Sequence, residues 1–168
     1  MAHPSPSSAG PVQRLDAAAF GLIYGTITSL SILMAMGAHP DASFPMAAAL
    51  FGSVFAVTAA KAFAEVVSEE LARSAEAPRA TFAAAWRHAR PTLVAANVPT
   101  LLILASGFGL LSAQAAIGLA QLFGIGVLAV LGARVGWVAR KRLVPAVLGA
   151  LFTGGIGLAL SAMKFLIH

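Results

Sequence analysis

Cysteine is absent from this 168-residue chain, which excludes disulfides, thiolate metal sites, cysteine nucleophiles and S-palmitoylation. Charge is scarce: 10% of residues are Asp, Glu, Lys or Arg, against about 25% in soluble globular domains. No nucleophile–base pair stands out, and no glycine-rich phosphate loop follows a strand. The four histidines are scattered along the chain (His3, His39, His88 and His168). The sequence therefore gives no reason to expect an enzyme or a resident cofactor.

What the chain has in excess is apolar length. Hydrophobic residues make up 59% of it, and the mean hydropathy is +0.87. Apolar stretches run approximately over 17–38, 45–67, 91–111, 113–135 and 143–167. About 20 mostly apolar residues in a helix cross roughly 30 Å of hydrocarbon, and all five stretches meet that length. The expected fold is all-α: a five-helix transmembrane bundle in one domain over 16–168, after a disordered Pro/Ser-rich tail over 1–15.

The net charge of +5 reads as topology rather than as a nucleic-acid surface. With the N-terminus in the cytoplasm, Arg14, Arg73, Arg79, Arg87, Arg90, Arg134, Arg140, Lys141 and Arg142 all fall inside, and Lys164 alone falls outside. This positive-inside bias puts the C-terminus outside, with a cytoplasmic loop over 68–90. The setting it fits is a bacterial inner (plasma) membrane, with membrane lipids as partners and no nucleic acid. The first stretch is too long for a signal-peptide core, so it is read as a retained span.

Helix 1 is expected to open near Asp16. It carries Ala17, Gly21, Gly25 and Ser29 at i+4 intervals, a small-residue face suited to close helix packing. Its hydroxyl residues can each bond the i−4 carbonyl, so they do not by themselves mark a pore. Helix 2 is expected to run past the membrane to about Ala77, with Glu69 and Arg73 as i,i+4 partners. Thr81 to Ala89 reads as a short surface helix, separate from a third span that begins at Pro91 and is kinked by Pro99. Helices 3 and 4 form a hairpin about the Ser112–Ala113 turn. Trp86, Arg87 and Arg90, with Trp137, Arg140, Lys141 and Arg142, read as interfacial anchors. Gly132 and Gly136 on helix 4, and Gly149, Thr153 and Gly157 on helix 5, read as tight packing faces.

Two ionisable residues on helix 2 need an account. Lys61 lies six residues before Val67, roughly 9 Å along the helix. A charge at mid-bilayer costs about 2.5–3.5 kcal/mol on insertion scales. Lys61 can snorkel to the inner interface, pair with Glu65 one turn below, hold an anionic head group, or stand as a built-in cation. Glu65 and Glu69, i,i+4 on one face, are the candidate metal ligands. The simpler reading is a solvated or interfacial helix end, with Glu69 paired to Arg73.

The order of these features resembles the VIT/CCC1 family of vacuolar-type iron and manganese transporters. Ile23-Tyr24-Gly25-Thr26-Ile27-Thr28-Ser29-Leu30 is similar to that family's N-D-G-L-V-S-T-L stretch, and Ala60-Lys61-Ala62-Phe63-Ala64-Glu65-Val66-Val67-Ser68 to its S-M-A-A-G-E-Y-V-S stretch. The resemblance covers most of 12–168. It implies a homodimer, formed here through the small-residue faces of helices 1 and 2. It also implies ion transport, with iron or manganese leaving the cytoplasm in exchange for protons, along a path lined by Tyr24, Thr28, Lys61 and Glu65. Divalent metal is then the substrate. This chain departs from the pattern at Tyr24, where the family has an aspartate, and at Lys61, where it has a methionine. The family's glutamate-rich cytoplasmic insert is shortened to a stretch with Glu69, Glu70, Glu76 and His88 as its ligand-type residues. The alternative is a non-transporting scaffold or partner subunit with a structural Lys61–Glu65 pair.

Overall fold

A computed structural model describes residues 11–36, 42–72 and 81–167, with the side chains of 11–17, 140 and 164–167 outside that description. The chain forms five α-helices: α1 (Pro11–Met36), α2 (Ser43–Ala72), α3 (Phe82–Gly107), α4 (Ala113–Arg140) and α5 (Leu143–Ile167). Each is long and apolar enough to cross a membrane, and together they have the make-up of a multi-pass helical bundle.

The helices depart from the expected bounds where tertiary packing outweighs local signals. α1 begins at Pro11, a residue suited to a first helical turn, so Asp16 lies inside the helix rather than capping it and 11–15 belong to no tail. The expected surface helix and third span are one continuous helix through Pro91. A proline removes one i−4 hydrogen bond. Here the first turns of α3 are held on α2 by a seam of Ala62, Ala85 and Ala89, flanked by Val66 and Trp86, so the helix carries through. Within the expected cytoplasmic connection 68–90, the described residues 68–72 and 82–90 are helical, as expected. Arg73, Glu76 and Arg79 lie outside the described residues.

Local capping fixes the remaining ends. Thr81 accepts the Ala84 amide at the start of α3, and Ser112 accepts the Ala115 amide at the start of α4. The α3–α4 turn occupies Phe108–Ser112, with Gly109 at φ 75°, a left-handed position that favours glycine. α4 runs on to Arg140 and stops at Lys141, itself left-handed at φ 48°, whose amide returns to the Trp137 carbonyl at 2.7 Å.

α3 lies between α1 and α2, which barely touch each other, while α4 packs most extensively on α5. The main core joins four helices through Leu33, Leu50, Val54, Ala96, Ile103, Ile117 and Ala120. Outward faces are apolar, with Phe55, Leu101, Leu122, Val130 and Leu151 all exposed, the pattern expected where lipid is the solvent. Arg87, Arg90, Lys141 and Arg142 are exposed at one end of the bundle, here the basic end.

Small residues set how closely the helices approach. The α1 face expected to serve a second copy is used within the chain instead. A Cβ on Gly25 would overlap the Thr92 carbonyl, and one on Gly21 would come within 2.9 Å of Pro91 Cβ. The α4 and α5 glycines pack as expected: a Cβ on Gly132 would overlap Thr153 Oγ1 and the Gly149 carbonyl, and one on Gly136 the Pro145 carbonyl. Thr153 Oγ1 also donates across the seam to the Leu128 carbonyl at 2.7 Å. Interhelical hydrogen bonds in lipid contribute about 0.6 kcal/mol on average. Thr153→Val, which keeps the shape, should therefore lower unfolding stability in mixed micelles by about 1 kcal/mol or less and leave the fold intact.

Candidate functional site

Three of the four residues expected to line a path, Tyr24, Lys61 and Glu65, fall in two neighbouring arrangements toward the basic end. The first is a groove between α1 and α2. Because these helices are separated by α3, a concavity of about 440 Å³ opens between them, lined by Phe20, Tyr24, Val57, Ala60, Lys61 and Ala64. Phe20 and Tyr24, one turn apart on α1, stack with ring centroids 6.3 Å apart. Lys61 Nζ sits over the Phe20 ring, 4.4 Å from its centroid, within cation–π range. Thr28, placed on the path by its sequence position, is not among the groove residues. Its Oγ1 donates to the Tyr24 carbonyl at 2.8 Å, the ordinary back-bond of a helical threonine.

The second arrangement lies one helical turn nearer the basic end. Glu65 Oε1 on α2 and His88 Nδ1 on α3 are 2.8 Å apart, with the glutamate side chain 26% exposed and the histidine 73%. The Lys61–Glu65 pair is thus not formed. Lysine placed N-terminal to glutamate at i,i+4 is the weaker order on a helix, and His88 offers Glu65 a partner from the neighbouring helix. His88 is within reach because α3 continues as helix on the N-terminal side of Pro91.

Glu69 and Glu70 are exposed on the last turn of α2. Among the described residues there is no group of three or more His, Cys, Asp or Glu able to hold a metal ion. A divalent cation at this end would find Glu65 and His88 converging, with Glu69 one turn beyond. Of the residues read as anchors, Trp86 packs against the α2–α3 seam. Trp86 stacks on Phe82 at 5.9 Å and meets Phe55 edge-on at 5.8 Å. Trp137, Arg87, Arg90, Lys141 and Arg142 are exposed, and the Arg140 side chain lies outside the described residues.

Phe20 had no part in the expected site. Its one signal was its position a turn before Tyr24, on the helix facing Lys61. His88 was expected on a short surface helix separate from the third span, and its pairing with Glu65 follows from the packing of α3 on α2. No protein-family model, curated protein or solved structure matches the chain.

Proposed function

We propose that this chain is a transporter-like membrane protein, related to the VIT/CCC1 family, that moves divalent iron or manganese out of the cytoplasm in exchange for protons. The supporting observation is the Glu65–His88 contact of 2.8 Å beside the α1–α2 groove. A carboxylate and an imidazole at this distance hold one proton between them when the histidine is protonated, and both are ligands for a borderline cation when they are not. The positive-inside bias of the sequence supports a cytoplasmic mouth at this end of the bundle. A second copy would double the ligand set, and the homodimer belongs to this proposal.

One observation favours a second reading. An ammonium at Lys61, where a cargo ligand is expected, opposes a nearby divalent cation by direct repulsion. On that reading the chain is a non-transporting scaffold or partner subunit, resting on the Lys61–Phe20 contact rather than on a Lys61–Glu65 pair. Metal uptake into proteoliposomes under a proton gradient separates the two. Transport predicts manganese or iron flux above empty vesicles, falling to background in Glu65→Ala and rising in Lys61→Met. Flux no greater than in empty vesicles for either metal, with the folded chain inserted, leaves the scaffold.

A further inference from the structure

We propose that the α1–α2 groove is a binding site for an anionic lipid, with Lys61 pairing the headgroup phosphate and an acyl chain lying along the groove. This does not rest on the transport reading, since a bound lipid is detected without any gradient.

The first ground is charge. Lys61 is not paired with the Glu65 one turn away, which is held by His88, and its ammonium rests on the Phe20 ring. The other five lining residues are aromatic or aliphatic, and only Tyr24 adds a polar group. A half-buried ammonium among such walls is stabilised by an anion. A fully hydrated anion, however, loses its water with no replacement there.

The second ground is depth. Gly21 lies against Pro91 and Thr92 of α3, so Phe20 stands at the level of Arg90 and Pro91. The α2–α3 seam gives the same level independently, because Ala62 packs with Ala89. The ammonium is therefore not at mid-bilayer. It lies level with the exposed Arg90, at the edge of the basic belt, where a phosphodiester of the same leaflet can reach it. Basic residues at the cytoplasmic surface attract anionic lipid at about 1 kcal/mol each. Here a single lysine faces a groove with room for a chain. The third ground is shape: Phe20 is 69% exposed and Tyr24 45% exposed, so the concavity is open sideways, and Ala60 and Ala64 leave its α2 wall shallow.

The test is native mass spectrometry of the full chain in a non-ionic detergent. It is titrated with phosphatidylglycerol or phosphatidylcholine of identical acyl chains. Phosphatidylglycerol should be retained at one copy per chain in preference to phosphatidylcholine. Lys61→Met should weaken that retention about tenfold, somewhat more than one surface base contributes, and Lys61→Arg should restore it. Ala60→Phe, which fills the groove without touching charge, should also abolish it, while Arg87→Gln with Arg90→Gln should leave most of it. Equal retention of the two lipids would overturn the proposal. So would loss of retention in the Arg87/Arg90 variant with none in Lys61→Met. Displacement of the lipid by millimolar glycerol phosphate would mark a headgroup-only site. A monomer–dimer shift in Ala60→Phe with lipid retention unchanged would mean that a second copy, not a lipid, covers the groove. Either result sinks the proposal.

Discussion

Gly25→Leu should leave little folded protein. The α1 backbone approaches α3 so closely at this point that a Cβ on Gly25 would overlap the Thr92 carbonyl and lie 2.9 Å from Thr92 Cα. The obstacle is backbone in the middle of a helix, not the end of a flexible side chain, so no rotamer change relieves it. Overpacking a tight core costs about 1–3 kcal/mol. A four-carbon side chain against backbone belongs at or above the top of that range. Separation of α1 from α3 also uncovers Ser29 and Thr92, which are 2% and 0% exposed. The check is the folded fraction in mixed micelles against rising SDS, compared with Gly52→Ala and Gly126→Ala. Neither of those glycines has any atom within 4 Å of an added Cβ, so both changes should be neutral or slightly stabilising through helix propensity. A stable Gly25→Leu would mean that α1 does not pack on α3 as described.

This seam also shows where the sequence was legible. The i+4 row of Gly21, Gly25 and Ser29 correctly announced a close helix contact, because only small side chains permit one. It could not say which helix fills the contact, since a backbone from the same chain and one from a second copy fit equally well. The five spans were readable because bilayer thickness fixes helix length, and the helix ends were not. Pro91 looked like a start because proline breaks an isolated helix. The alanine seam with α2 that carries α3 through it is a long-range contact. The same limit applied to the site. Lys61 and Glu65 stood one turn apart on a single helix, and their separation into a Lys61–Phe20 contact and a Glu65–His88 contact depends on how α1 and α2 pack on either side of α3. The residues were visible in the sequence, whereas their partners required the packing.

Gly136→Leu should detach α5 while the rest of the bundle persists. Only 11% of the apolar window of α5 is buried, the least of the five helices, so its place depends heavily on the narrow stripe facing α4. On that stripe a Cβ at Gly136 would overlap the Pro145 carbonyl, and one at Gly149 would overlap the Gly132 carbonyl. Neither side can give way without moving a helix. The main core, by contrast, is built from α1, α2, α3 and α4 without a residue of α5. With Trp137→Phe as background, Trp86 becomes a sole tryptophan reporter of the α2–α3 seam. Its emission should stay native in Gly136→Leu, while proteolysis between α4 and α5 becomes fast. Loss of stability should be about 3 kcal/mol or more for the α4–α5 unit, since backbone overlap here is as severe as at Gly25. Parallel loss of the Trp86 signal would show instead that α5 and the α2–α3 seam unfold as one cooperative unit. The thin burial of α5 would then understate its hold on the bundle.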